Sequence, residues 1–324
     1  MRRKIIYLFI LIILIFMPFS YSSNKEKIEE QKDTFEINSF ISNSKKYVEN
    51  DFLNENDINN LFDTAIKGQV DNKTLLSKFV KIFGKEFKNT IGALSIILVI
   101  IVIHSILKSI SESLENESIA RIIYYVQYIL IATIVMKNFT EVIAMVKESA
   151  LNMVGFINLL IPLLTSLMVF TGSITTTSVL QPTILFSVNF IGNFIENILI
   201  PLVLAIASFS IISKISDKVQ VDKLAKFMKS GVIWVLGIIL TIFVATVSLE
   251  GTLSSSVDGI TAKTTKAVVS SAIPIVGKIL GDAVDSVLGC GIILKNAVGI
   301  VGVVIILSIC VVPVLKLRVT HNIV

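Results

Sequence analysis

Apolar runs long enough to cross a bilayer recur along this chain from Thr90 to the neighbourhood of Leu315, and nothing in the sequence constrains the fold more. In lipid every backbone N–H and C=O has to be satisfied internally, so long continuous runs of this kind fold as helices. The composition agrees, with 53% hydrophobic and only 16% charged residues among 324. The expected fold class is all-α, a polytopic membrane helix bundle. The runs cover 90–107, 122–136, 151–170, 184–213, 232–249 and 291–315. The second is short and carries Tyr124, Tyr125 and Tyr128, the pattern of an aromatic anchor at the membrane surface.

The segment before these runs is of another kind. Residues 1–23 have the three parts of a signal peptide: the cationic start Arg2-Arg3-Lys4, the apolar core Ile5–Met17, and Ser20-Tyr21-Ser22 as a small-x-small cleavage pattern after Pro18. Residues 24–89 then hold eleven Lys against twelve Asp or Glu, with no proline. Apolar positions recur there at helical spacing, as in Ile58, Leu61, Phe62 and Ile66, with Asp57 placed to open that helix and Gly68 to close it. This reads as a small N-terminal helical extracytoplasmic region, too short for a large core of its own.

Loop cations put the topology in conflict. If every run crosses, the stretch holding Lys214, Lys218, Lys223, Lys226 and Lys229 falls outside, against the positive-inside rule. If Leu151–Phe170 is re-entrant, that stretch becomes cytoplasmic, and Asn152, Gly155, Asn158 and Pro162 suit a broken helix buried in protein. The charge count favours the re-entrant version. Ile161-Pro162, Ile200-Pro201 and Ile273-Pro274 repeat one local pattern and mark candidate hinges.

Several chemistries find no support. There is no Walker-type loop, no G-x-G-x-x-G, no H-E-x-x-H and no G-x-S-x-G, and no nucleophile–base or metal set is visible. Two His and two Cys do not make a disulfide framework or a zinc cluster. The net charge of +5 is not gathered with aromatic residues, so it speaks for membrane orientation and against nucleic acid. The chain is expected to be non-enzymatic, to need no cofactor or metal, and to have the lipid bilayer as its first partner.

Polar groups inside the apolar part are the candidate site residues. Glu196 lies in mid-segment with Asn189 and Asn193 nearby, where an ionisable side chain must face protein or water. In the polar, glycine-rich segment 250–290, Lys278, Asp282 and Asp285 make a stripe at three- and four-residue steps, while Gly277 and Gly281 offer a small-xxx-small face. Lys278 and Asp282 are spaced for an ion pair, Gly289-Cys290-Gly291 reads as a break, and Lys295 follows in the last run. Such a helix serves either to hold the bundle together or to line a watery path.

The run from Thr252 through Lys316, with IPIVGKILGDAVDSVLG, LKNAVGIVG and VVPVLKL, resembles the stage III sporulation protein AE family. GQVDNKTLLSKFVKIFGKEF, NLLIPLLTSLMVFTGS and TSVLQPT extend the resemblance over roughly residues 65–318. It implies a multi-pass protein of the mother-cell membrane facing the forespore, a subunit of a secretion-like channel or feeding complex needed for endospore development. The implied partners are the other proteins of the stage III sporulation A operon, a secretion-type ATPase among them, and indirectly channel proteins on the forespore side; proteins of this kind often form homo-oligomers. The family brings no catalytic residues. Members usually continue beyond the VVPVLKL-like motif, whereas residues 316–324 do not follow that pattern, as in a truncated member. The contrasting expectation is a secondary transporter whose broken helices bind a solute or ion near Glu196, Asp282 and Asp285.

Overall fold

The computed structural model describes residues 25–48, 53, 55–68, 117–213, 221–272 and 276–321, with short pieces between 98 and 109. Among the described residues the secondary structure is helical, without strands. Three short helices, α1 (Lys25–Thr34), α2 (Ile37–Ser44) and α3 (Glu55–Ile66), precede the long elements. These are α4 (Glu117–Phe170), α5 (Ile174–Phe194) continuing through a π-helical turn (Ile195–Leu199) into α6 (Ile200–Ile212), then α7 (Val221–Ala272) and α8 (Val276–His321). Among the described residues four stretches are long and apolar enough to cross a membrane: Tyr124–Phe170, Ile174–Ile212, Asp222–Leu249 and Ser286–Val311. The chain is built as a multi-pass membrane protein.

Two expectations need correcting. The runs 122–136 and 151–170 are parts of one 54-residue helix, so 151–170 neither breaks nor re-enters by itself. Pro162 lies inside α4 without ending it, although it has no N–H to give to the Asn158 carbonyl four residues back; Thr165 Oγ1 and Ser166 Oγ both donate to the Pro162 carbonyl. Gly289-Cys290-Gly291 is likewise no break, because α8 runs through it. Gly291 serves close approach instead: a Cβ there would lie 2.6 Å from Phe170 Cδ1. Three helical turns on, a Cβ at Gly302 would lie 2.7 Å from Leu160 Cδ2. Gly291 and Gly302 of α8 thus let that helix approach α4 closely.

Helix α4 ends because Gly172 can adopt φ +90. Its N–H donates to the Val169 carbonyl and that of Ser173 to the Met168 carbonyl, the paired bonds of a Schellman ending. The chain turns at once into α5, and α4 and α5–α6 run back as an antiparallel hairpin. The core sits at the end of the bundle marked by Gly172. There Leu294, Ala297, Val298, Val301 and Ile305 of α8 and Phe156, Leu160 and Leu167 of α4 are buried in one cluster with Ile28, Ile37, Phe40, Ile58 and Phe62. Each such aliphatic or aromatic side chain contributes roughly 1.5–3 kcal/mol on burial. Phe35 meets Phe170 edge-on at 5.2 Å, Tyr47 packs on Phe156 and over Gly155, and Gln31 Nε2 donates to the Val287 carbonyl. As expected, Gly68 follows the helix of Ile58, Leu61 and Phe62 with a positive φ of 66, although that helix already begins at Glu55, ahead of Asp57.

Candidate functional site

The seam between α4 and α5 carries polar side chains that the surrounding apolar sequence makes conspicuous. Positions equidistant from the Gly172 turn face each other across an antiparallel hairpin, and the polar residues fall in that register. Asn158 and Asn189 exchange two amide hydrogen bonds, at 3.1 and 3.0 Å. Further from the turn, Lys147 Nζ lies 3.1 Å from Glu196 Oε1. Lys147 and Asn158 are eleven residues apart, close to three turns, so both point at the same neighbour.

Glu196 belongs to the π-helical turn, and Pro201 explains why the turn is there. A proline has no N–H to give to the carbonyl four residues back, so an unbroken α-helix would lose a bond at this point. The chain widens instead: the Ile200 N–H donates to the Ile195 carbonyl, five residues back. A π-turn of this kind shifts the side chains that follow it relative to an ideal helix, and such turns are frequent at functional positions. Here the widened turn presents Glu196 to Lys147. Both side chains keep open surface, 34% for Glu196 and 41% for Lys147. Asn193 and Asn197 are exposed beside them, as are Glu141 and Glu148 on α4.

The other end of the seam is tied to α7. Asp258 is buried, with 7% of its surface exposed. It accepts hydrogen bonds from the backbone N–H groups of Thr175 at 2.8 Å and Thr176 at 2.9 Å. These are free donors at the start of α5, so a side chain from another helix caps it. Burial pushes the Asp258 carboxyl up, but the hydrogen bonds from Thr176 and Thr175 outweigh that and hold it below the usual carboxylate value.

The sequence-derived candidates divide clearly. Glu196 stands in the seam, with Lys147 as a partner that sequence reasoning did not name. Gly277, Lys278, Gly281, Asp282 and Asp285 fall on the first turns of α8, and their side chains, with the Lys278–Asp282 pairing, lie outside the described residues. Lys295 is half-buried and makes no ion pair among the described residues. The contacts of Gly291 with Phe170 and of Gly302 with Leu160 put it level with about Ser166, roughly 28 Å along α4 from Lys147 at 1.5 Å per residue. Glu196 and Lys295 therefore do not share a site. Asp258 falls within the polar segment 250–290, and nothing in its local sequence announces a cap for a helix some eighty residues upstream. Among the described residues no three His, Cys, Asp or Glu side chains gather as metal ligands.

The family model for stage III sporulation protein AE matches residues 56–323. Stage III sporulation protein AE of Bacillus subtilis (strain 168) is 32% identical over 211 residues, 65% of this chain and 53% of that protein. The chain thus matches about half the length of that curated relative. No solved structure matches.

Proposed function

This chain belongs to the stage III sporulation protein AE family and has a role in sporulation, and from that premise we propose that it is a non-enzymatic membrane subunit of a secretion-like channel complex between mother cell and forespore. The observation that carries the reading is a polar seam, with an ion pair and an amide pair, between two helices whose apolar stretches are long enough to cross a membrane. A passive anchor has no use for such groups, which are costly in lipid. A subunit that lines or gates a path does.

Its place would be the mother-cell membrane facing the forespore. The partners are the other proteins of the stage III sporulation A operon, including a secretion-type ATPase that supplies the nucleotide chemistry this sequence lacks, and forespore-side channel proteins. The packing supports one orientation. Helices α1–α3, with Glu29, Lys32, Asp33 and Asp63 on them and Lys45 and Lys46 in the turn after α2, cannot sit in hydrocarbon, yet they share a core with α4 and α8 at the Gly172 end. Following a signal peptide, that end is extracytoplasmic, and the five Lys between 214 and 229 become cytoplasmic, as the positive-inside rule asks. One crossing by α4 where the runs count two removes the earlier conflict.

Deleting the gene in a spore-forming host is the test. Forespore development should arrest and return when the gene is restored, and the operon's other products should co-purify with the tagged protein. Undiminished spore yield in the deletion strain ends this reading. The half-open Glu196 in a widened helix turn favours a second reading, a secondary transporter. That one requires gradient-driven uptake by the purified protein alone in liposomes, lost in Glu196→Gln.

A further inference from the structure

We propose that the α4–α5 seam at Lys147, Glu196, Asn189 and Asn193 faces water inside the membrane layer, so that its line of polar groups is part of a hydrated path for water-borne solutes. The inference rests on reading the chain as a membrane channel subunit and adds which surface of it is wet.

The argument begins with depth. Helix α7 runs antiparallel to α5–α6, and Asp258 bonded to Thr175 and Thr176 fixes the register between them. Counting from that contact puts Glu196 opposite about Gly237. The uncharged stretch of α7 from Val232 to Leu249 centres only about three residues beyond, or roughly 5 Å. That helix has no side chain in its most apolar window buried by the rest of the chain, so lipid or partners surround it. The Lys147–Glu196 pair is therefore near the middle of the apolar layer, not at its edge.

At that depth exposure has consequences. A charged side chain at mid-bilayer costs about 2.5–3.5 kcal/mol on insertion scales, and full burial in protein is the usual remedy. Here the chain buries neither partner: Lys147 and Glu196 remain about one-third open or more. Glu148, next to Lys147, is exposed and has no ion pair among the described residues. Asn193 and Asn197 add exposed amides in the turns beside the pair. By contrast, Ile233, Trp234, Ile238 and Ile242 make one apolar face of α7 at the same depth. That face of α7 is suited to lipid, and the charged and amide groups of the seam are not. A second protein surface could satisfy some of these groups, but a run of both charged and amide groups along an open seam fits water, which supplies donors and acceptors at every position.

Cysteine accessibility in the full chain, within membranes of sporulating cells, tests this. Cys290 and Cys310 are first replaced by alanine, and single cysteines are placed at Glu148, Asn189, Asn193 and, as a lipid-face control, Trp234. A membrane-impermeant cationic thiol reagent is applied from both sides and the remaining thiols are counted. Seam positions should react at least about tenfold faster than the Trp234 position, as expected where entry of an ion into lipid costs more than 1.4 kcal/mol. Protection at the seam equal to that at Trp234 overturns the proposal. So does efficient disulfide formation between copies at Asn193 with no reaction towards the reagent, because the seam is then covered by a second copy. Fast reaction at Trp234 as well overturns it by removing the apolar layer from this depth. Each of these results is independent of whether the deletion strain makes spores, so a dry seam and a failed channel role are told apart.

Discussion

Asp258 sits on α7, yet the amides it accepts from belong to Thr175 and Thr176 at the start of α5. Replacing it with alanine strands two donors, that of Thr176 buried and that of Thr175 partly so, and loss of a helix N-cap costs about 0.5–2 kcal/mol. Asp258→Ala should therefore lower the thermal unfolding temperature in detergent and speed hydrogen exchange at the Thr175 and Thr176 amides; Asp258→Asn, which keeps one acceptor oxygen, should fall between. The carboxyl is held below its ordinary value in the fold, so its contribution is complete above the unfolded value of about 3.9 and fades as pH falls through the lower folded one. The gap between wild type and Asp258→Ala should close at that acid end and stay constant near neutrality. A second prediction concerns Lys147 and Glu196. Breaking a fully buried pair costs about 3–5 kcal/mol, and partial exposure here reduces that to about 1–2. Lys147→Glu alone should destabilise the protein in a thermal shift assay, and Lys147→Glu with Glu196→Lys should recover most of the loss. A double variant no better than the single one would mean that the contact carries no coupling energy.

Between helices, the two glycines of α8 are not equivalent. At Gly302 the obstructing atom is the end of a leucine side chain, which can rotate aside; at Gly291 it is the ring of Phe170, already held edge-on by Phe35. Gly291→Ala should therefore cost about 1–3 kcal/mol, in the range of overpacked cores, and Gly302→Ala visibly less. Unfolding midpoints of the two variants in the same detergent check the order. The same pair of glycines shows what was legible in the sequence and what was not. Helical class and membrane runs follow from apolar length alone, because a backbone in lipid has few options. Glu196 was legible as an anomaly, a charge in an apolar run. Its partner was not, since 122–136 and 151–170 were separated at the polar residues Lys137 to Glu148, and the hairpin register that pairs Lys147 with Glu196 needs α4 to be continuous. Gly291 looked like a break because glycine favours helix ends, but a helix packed tightly on its neighbour also selects glycine, and only the neighbour distinguishes the two. Asp258 acts on residues more than eighty positions away, so no local pattern could reveal it.

At the scale of the whole molecule, the question is which end of the bundle lies on which side. Helix α5, the π-turn and α6 form one continuous stretch from Ile174 to Ile212, so its two ends should lie on opposite membrane faces if it crosses. The charged helices α1–α3 dock on α4 and α8 beside Phe156, Phe170 and Val287, all on the Gly172 side of Lys147. Phe156 is about 13 Å from Lys147 along α4 and Phe170 about 35 Å, against a half-thickness of about 15 Å for the hydrocarbon core. With the ion pair near mid-layer, this docking surface begins at the membrane boundary and extends beyond it. Much of the apolar run 291–315 is then needed for a protein core outside the bilayer, which accounts for the burial of Leu294, Val298 and Ile305 where a lipid-facing span would leave them open. Single cysteines at Ser39, Ser173 and Ser216, in a background without Cys290 and Cys310, convert this into a measurement. An impermeant maleimide added to intact protoplasts should label Ser39→Cys and Ser173→Cys and spare Ser216→Cys until the cells are lysed. Labelling of Ser173 and Ser216 from one side would mean that α5–α6 does not cross. If Ser39 and Ser173 instead labelled from opposite sides, helices α1–α3 could not be docked beside the Gly172 turn, and the shared core of α1–α4 and α8 would be lost with that placement.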